Sequence, residues 1–236
     1  MILKNLKVRL AINRFKSRQE IESAKSTFIV TVEDGATILQ ALQYIYECLD
    51  PTLAFEYSCR YGRCGLCGVI VNERPVLACT AFIRTAEINI KPLANLPRVR
   101  DLVIDRTLLD AFLKEHGIYF AANAGEAAAA SGSVNTSPDF KPVMVPGGLV
   151  KLSGCLECLC CHSACSSLDP GGDKLENFAG PYIFLKLAQL HLDPRDHVDR
   201  KDQARRFGIE KCLSCKGCYC PQGIPVYREA IQPLLP

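Results

Sequence analysis

The spacing of the cysteines in residues 154–167 constrains this chain more than any other feature. Four of them follow the order C-x₂-C-x₂-C-x₃-C, at Cys155, Cys158, Cys161 and Cys165. This is the bacterial-type run that holds iron–sulfur cubanes, in which the fourth cysteine ligates the other cluster. The spacing therefore predicts iron–sulfur ligation by this segment together with at least one further cysteine group.

The composition supports metal ligation rather than a disulfide framework. The chain has 236 residues, 14 cysteines and a formal net charge of +3, too small to indicate a nucleic-acid partner or an anionic membrane surface. The start, MILKNLKVRL, lacks the apolar core of a secretion signal, and no run of about 18 apolar residues exists. We therefore expect a reducing compartment, cysteines that bind metal, and no transmembrane segment of the chain's own.

The first part of the chain predicts a small β-rich domain. Residues 6–12 and 27–32 read as strands, and Thr37 caps a helix that ends before Pro51. Two strands, a helix, a cysteine loop and further strands fit a β-grasp, ferredoxin-like domain over residues 1–96. The prolines that follow Lys91 mark the expected domain boundary.

The cysteine loop of this domain, YSCRYGRCGLCG, has the plant-type spacing C-x₄-C-x₂-C. Its glycines, Gly62, Gly65 and Gly68, would let the chain curl around a [2Fe–2S] cluster and bring amides close to the sulfurs. The alternative is a Cys₄ zinc site in a structural or interaction module. The predicted ligands are Cys59, Cys64, Cys67 and Cys79.

The stretch DPTLAFEYSCRYGRCGLCGVIVNERPVLACTAFI, together with Arg14-Phe15, resembles the iron–sulfur subunit of succinate dehydrogenases and fumarate reductases. The resemblance implies an oxidoreductase subunit that passes electrons through three clusters and has no substrate site of its own. It also implies an FAD-containing flavoprotein partner that interconverts succinate and fumarate. The other partner would be a membrane anchor or other quinone-reactive subunit, with the chain held peripherally on the cytoplasmic side of the membrane.

The second half predicts a mainly α-helical, bacterial-ferredoxin-like domain over residues 97–236, so that the whole chain is α+β. Residues 105–116 and 182–192 have apolar side chains at helical spacing. Residues 121–148 are rich in Ala, Gly, Ser and Pro, and we expect a surface excursion there.

A third cysteine group completes the ligand set, and cubane spacing predicts a crossover between it and the second group. One [4Fe–4S] cluster is assigned to Cys155, Cys158, Cys161 and Cys220. The second [4Fe–4S] cluster is assigned to Cys165, Cys212, Cys215 and Cys218. In the resembled family the position of Cys215 commonly lacks a cysteine and the third cluster is [3Fe–4S], which remains the alternative. The C-x-C spacing of Cys218 and Cys220 also departs from the usual C-x₃-C-P.

Three residues near these groups stay outside the ligand set. Cys48 is expected to be a core residue, and the Cys160 side chain is expected to point away from the cube. For His162 we expect a structural or solvent-facing role, with ligation or proton donation to a quinone as the alternatives. The chain has no Trp, and Ser166 stands where the resembled family has Pro, so the usual ubiquinone pocket is not expected.

A second redox function remains open. The same electron path would suit another flavoenzyme, such as a thiol-linked fumarate reductase or a hydroxyacid oxidase.

Overall fold

The structure is a computed structural model that describes residues 5–16, 24–121, 144–168, 175–215 and 217–236. The strands are β1 (Asn5–Arg14), β2 (Ala24–Glu33), β3 (Gly68–Val71), β4 (Arg74–Leu77), β5 (Glu87–Lys91), β6 (Arg98–Arg100) and β7 (Val103–Ile104). The α-helices are α1 (Ile38–Tyr44), α2 (Thr107–Glu115), α3 (Gly147–Leu152), α4 (Cys160–Ser163), α5 (Gly180–His191) and α6 (Arg200–Arg206). Short π- and 3₁₀-helices cover Ile45–Leu49, Ile209–Leu213, Tyr227–Ile231 and Gln232–Leu234.

Packing divides the chain into two compact units that interleave along the sequence. Unit 1 comprises Met1–Thr107, Leu156–Asp173 and Tyr219–Gly223. Unit 2 comprises Leu108–Cys155, Lys174–Cys218 and Ile224–Pro236. Compact units need not coincide with domains, so the division into residues 1–96 and 97–236 stays a prediction.

Unit 1 is built on a five-stranded sheet in the order β2-β1-β5-β3-β4. The central strand β5 is parallel to β1, whereas β1–β2, β3–β4 and β3–β5 are antiparallel. In β1, Val8, Leu10 and Ile12 are fully buried because alternate residues of a strand share one face. The two strands predicted near the N-terminus are therefore confirmed, and both are longer than predicted.

Helix α1 begins with a capping box. The Gln40 amide donates to Thr37 Oγ1 (3.3 Å), and the Thr37 amide donates to Gln40 Oε1 (2.8 Å). The Leu39 amide donates to the Ala78 carbonyl (2.9 Å), which ties the helix to the chain that follows β4. Helical structure continues as a π-helix to Leu49 and ends before Pro51, as predicted.

Cys48 lies on this π-helical turn and is exposed, so its assignment to the core is wrong. Ile45 at the start of the turn is fully buried. A π-turn closes i→i+5 rather than i→i+4 hydrogen bonds, so it has more residues per turn than an α-helix. Cys48, three residues after Ile45, is therefore rotated away from the buried face. The prediction for Cys48 was wrong because it assumed the spacing of an α-helix.

A buried aspartate, Asp101, joins three separate stretches of unit 1. Its carboxylate accepts from the amides of Phe15 (3.1 Å) and Ala54 (2.9 Å) and pairs with Arg14 Nε (2.9 Å). Arg14 also pairs with Asp50 (2.6 Å). These bonds hold the chain that enters the first cysteine loop against the end of β1.

Unit 2 is helical around α5, whose side chains are buried on most faces, among them Ile183 and Leu187. Arg200 is fully buried, where it pairs with Asp196 (2.7 Å) and donates to the carbonyls of Gly117 (3.0 Å) and Tyr119 (2.7 Å). The predicted helices at 105–116 and 182–192 are confirmed with shifted ends. Most of the predicted surface excursion, residues 122–143, lies outside the described residues.

Candidate metal centres

The β3–β4 hairpin brings together two cysteines of the first loop. Cys67 directly precedes β3 and Cys79 follows β4, and the register pairs Gly68 with Leu77. The Ala78 amide donates to the Cys67 carbonyl (2.9 Å), so the two cysteines lie at the same end of the hairpin. Both are buried, whereas Cys59 and Cys64 are half-buried.

Backbone amides point at the thiols of this loop. Gly62 N–H donates to Cys79 Sγ (3.1 Å), and Arg63 N–H donates to Cys59 Sγ (3.2 Å). Gly62 has φ +73°, a conformation that favours glycine, and this aims its amide inward. The expected approach of amides to the sulfurs is therefore confirmed.

The environments of the thiols differ within the loop. Backbone amides, first that of Arg63, lower the pKa of Cys59 to about 7 because they stabilise the thiolate. Burial raises the pKa of Cys67 to about 12, because a bare thiolate is poorly solvated there. A bound metal cation would supply the compensating charge at Cys67, which is the normal condition of a thiolate ligand.

The second cysteine segment curls through residues other than glycine. Glu157 (φ 55°) and Leu159 (φ 62°) on either side of Cys158 adopt the left-handed conformation. Residues that carry a side chain rarely adopt this backbone conformation, and those that do are often found in functional segments. Helix α4 follows at once, and Cys160, Cys161, His162 and Ser163 are all buried within it.

Cys160 does not point away from the predicted ligands, so that expectation is wrong. Its thiol is fully buried and hydrogen-bonded with the thiol of Cys158. This hydrogen bond lowers the pKa of Cys158 to about 7, and the same bond together with burial raises the pKa of Cys160. The nearby Cys220 also disfavours charge on Cys160, so that Cys220 lies beside this segment within unit 1.

Within unit 1 the first loop packs directly on the second segment. A Cβ at Gly65 would lie 2.0 Å from the Leu156 carbonyl oxygen, and one at Gly68 would lie 3.0 Å from the Cys158 carbonyl oxygen. At Gly65 only a hydrogen atom allows the two backbones to meet, and a side chain at Gly68 would force its neighbours to shift. Arg106 bridges the same contact, since it donates to the carbonyls of Glu157 (2.9 Å) and Gly65 (3.4 Å).

Two polar residues anchor helix α4 in unit 1. The Ala94 amide donates to Ser163 Oγ (2.9 Å). The side chain of Asn95 donates to the carbonyls of His162 (3.1 Å) and Cys165 (2.9 Å). Neither Asn95 nor Arg106 was singled out from the sequence, since their partners lie far along the chain and leave no local pattern.

The third cysteine group has little regular structure. Cys212 is buried in the 3₁₀-helix Ile209–Leu213, and the Cys215 amide donates to the Cys212 carbonyl (3.3 Å). Cys215, Cys218 and Cys220 are half-buried. Cys218 belongs to unit 2 and Cys220 to unit 1, although only one residue separates them.

The donor set fits iron–sulfur ligation. Thiols of the first loop lie together at one end of the β3–β4 hairpin, and backbone amides donate to two of them. Glycines in the loop allow another backbone segment to approach closely. Unit 1 thus has the fold and site of a plant-type, ferredoxin-like iron–sulfur protein.

Known proteins agree with this class. The domain family described as a 2Fe-2S iron-sulfur cluster binding domain matches residues 9–111. The fumarate reductase iron-sulfur subunit of Haemophilus influenzae is 33% identical over 223 residues, which cover 90% of this chain and 84% of that protein. The chain therefore belongs to the family of iron–sulfur subunits of fumarate reductases and succinate dehydrogenases.

Two further relatives extend the likeness over nearly the whole chain. A chain of the Mycobacterium smegmatis Sdh1 complex superposes with a TM-score of 0.80 at 26% identity, covering 98% of this chain and 95% of its own. One subunit of the fumarate reductase (CoM/CoB) of Methanothermobacter marburgensis is 29% identical over 96% of this chain. The chain spans only 43% of the length of that second relative.

Family membership decides two of the open points. The chain is an iron–sulfur subunit of an oxidoreductase and carries a [2Fe–2S] cluster, which favours the iron–sulfur interpretation of the first loop over zinc. Its relatives are subunits of larger assemblies. None of the helices in the described ranges is long and apolar enough to cross a bilayer.

Proposed function

We propose that this chain is an electron-transfer subunit that links an FAD-containing succinate- or fumarate-active subunit to a quinone-reactive membrane partner. The observation that carries the proposal is the direct backbone contact of the first cysteine loop, at Gly65, with the second cysteine segment, at Leu156. Two cysteine groups in van der Waals contact favour a series of redox centres over isolated structural sites. The chain itself would sit peripherally on the cytoplasmic face of the membrane, held by its partner subunits.

The proposed ligand sets follow the cysteine spacing. The [2Fe–2S] cluster takes Cys59, Cys64, Cys67 and Cys79. The first [4Fe–4S] cluster takes Cys155, Cys158, Cys161 and Cys220. The second [4Fe–4S] cluster takes Cys165, Cys212, Cys215 and Cys218. The nearness of Cys220 to Cys160 supports its place beside the second segment.

The clusters, when bound, supply one-electron chemistry. The amides of Gly62 and Arg63 donate to ligand sulfurs and so stabilise negative charge in the first loop. The hydrogen bond with the Cys160 thiol is the main cause that lowers the pKa of the Cys158 thiol. The positive charge of the Arg106 guanidinium, which lies between the two cysteine groups, lowers it further. Cys67, Cys79, Cys158 and Cys161 are buried, which restricts the access of water to their side chains.

The experiment that tests the proposal starts from the anaerobically purified complex. We expect iron and acid-labile sulfide in the chain, co-purification of a flavoprotein, and reduction of the clusters by succinate. A colourless complex that contains only zinc would overturn the proposal.

Electron paramagnetic resonance (EPR) of the oxidised and reduced complex tests the third cluster. Cys215→Ser is expected to convert or destroy one cubane and to leave the [2Fe–2S] signal unchanged. Cys48→Ser, at an exposed cysteine outside the ligand set, is the matched control and should change neither signal. A full set of cluster signals in Cys215→Ser would exclude Cys215 as a ligand.

A second candidate function is favoured by one relative. The methanogen protein is a fumarate reductase named for coenzymes M and B, and its match covers 96% of this chain. We therefore propose a thiol-linked fumarate reductase as the alternative partner system. Reduction of the clusters by a mixture of the two coenzyme thiols, but not by succinate, would favour this alternative.

A further inference from the structure

His162 is a buried polar side chain that nothing in the described part of the chain satisfies. Its exposed fraction is 0%, and neither Nδ1 nor Nε2 has a hydrogen-bond partner among the described residues. A solvent-facing role is therefore excluded. Burying an imidazole N–H without a partner is unfavourable, so such a group in a native fold requires an explanation.

The neighbours of His162 on helix α4 already have partners. The Cys160 thiol is hydrogen-bonded with Cys158, and Ser163 Oγ accepts from the Ala94 amide. The side chains of Cys160 and Ser163 leave helix α4 in different directions, and each of them ends on a hydrogen-bond partner. The ring nitrogens of His162 have no comparable contact with any residue that the structure describes.

The position of His162 in the chain indicates what its partner is. It directly follows Cys161, and the Cys165 amide donates to the His162 carbonyl (3.2 Å). Residues three apart in such a turn project from the same side. His162 is thus flanked by two cysteines that are the proposed ligands of the two cubanes.

We propose that the His162 imidazole donates an N–H hydrogen bond to a sulfur atom of the cubane that Cys161 or Cys165 ligates, and thereby raises the reduction potential of that cluster. An imidazole carries at least one N–H in either protonation state, so the bond does not depend on titration. Hydrogen bonds to cluster sulfurs favour the more negative, reduced state. The inference rests on the proposed iron–sulfur function. In this role His162 is a hydrogen-bond donor to the cluster and not a ligand of its iron.

The test is an EPR-monitored redox titration of the anaerobic complex carrying His162→Phe. We expect one cubane to shift by about tenfold in its oxidised-to-reduced ratio, which is about 59 mV towards lower potential for one electron, with the [2Fe–2S] cluster unchanged. His162→Asn keeps an N–H donor and should restore part of the shift. His191→Phe makes the same change at a half-buried histidine outside the cysteine segments and should shift no cluster.

A second measurement keeps the inference testable if His162→Phe fails to assemble. Wild-type complex labelled with ¹⁵N-histidine should show weak nitrogen coupling to one reduced cubane by pulsed EPR. No nitrogen coupling, unchanged potentials in both variants, or a coupling as strong as that of a directly bound imidazole would each overturn it. Iron and sulfide analysis of the wild type separately tests whether the clusters exist at all.

Discussion

In the first cysteine loop, two of the three left-handed residues between Cys59 and Cys67 are glycines, Gly62 and Gly65. In the second segment the left-handed residues beside Cys158 are Glu157 and Leu159, which carry side chains. A left-handed conformation costs an L-residue with a side chain roughly 1–2 kcal/mol, whereas glycine adopts it freely. The second segment therefore holds a conformation that its own residues disfavour.

The two regions also differ in what stabilises them. The first loop sits on its own hairpin, and its amides reach its own thiols over short sequence distances. The second segment depends on Ala94, Asn95 and Arg106, which lie more than 50 residues away along the chain. Substitutions in the scaffold should therefore damage the second region before the first.

The largest expected effect is loss of a ligand in the first loop. Cys67→Ser should abolish the [2Fe–2S] EPR signal, because the buried thiolate at the hairpin end is irreplaceable there. Both cubane signals should persist, since their ligands belong to other segments. Loss of all three signals would show that the two regions do not form independently.

The second largest effect is expected from a substitution at the contact between the first cysteine loop and the second cysteine segment. Gly65→Ala would bring a Cβ to 2.0 Å from the Leu156 carbonyl oxygen at φ +73°, so backbone must move. We expect a loss of roughly 2–5 kcal/mol in unfolding free energy from strain and overpacking together.

Gly35→Ala is the matched control for that change. Gly35 has φ +85°, but nothing lies within 4 Å of the added Cβ, so only strain remains and about 1–2 kcal/mol is expected. Chemical denaturation of both variants measures the difference. Equal losses would show that the contact at Gly65 is not tight.

A smaller effect is expected from Arg106→Leu, which leaves the carbonyls of Glu157 and Gly65 without this donor. The shorter bond is to Glu157, so the second segment should suffer more. We expect the midpoint of thermal unfolding to fall by roughly 2–8 °C and chelators to remove a cubane before the [2Fe–2S] cluster.

Arg100→Leu controls for loss of an arginine, since the exposed Arg100 donates only to the Thr52 carbonyl in the described hydrogen bonds (2.9 Å) and lies near Asp101 (3.8 Å). Its clusters should resist chelators like those of the wild type. If the [2Fe–2S] cluster of Arg106→Leu were lost before a cubane, the first loop and not the second segment would depend more on Arg106.

The smallest effect concerns pH and the entry to the first loop. Hydrogen bonds from Thr52 and then Arg14 lower the pKa of Asp50 to about 2. A lowered carboxyl pKa stabilises the fold above the ordinary pKa of aspartate, and this contribution is lost as pH falls from about 5 to about 2.

Asp50→Asn should therefore reduce stability by no more than about 1 kcal/mol at neutral pH, because Asp50 is partly solvated. The difference from wild type should shrink below about pH 4. Thermal unfolding across this range measures it. A difference that grows in acid would contradict the assigned sign.

Local patterns made several features predictable. The alternation in β1, the Thr37 cap and the break before Pro51 act between near neighbours, so the sequence displays them directly. Cys48 was misplaced because a π-turn replaces the expected helical turn, which residue spacing does not announce. The Cys158–Cys160 thiol pair was missed because the curl around it uses non-glycine residues.

Cysteine spacing by itself predicted iron–sulfur ligation, since short spacers dictate which thiols can surround one inorganic core, and the family match favoured this interpretation over zinc. Only the tertiary structure decided that Gly65 meets Leu156 and that Arg106 and Asn95 support the second segment. It also decided that the His162 side chain is buried with no hydrogen-bond partner among the described residues. The physical reason is that close packing and long-range hydrogen bonds join residues far apart along the chain, where no periodic pattern records the pairing.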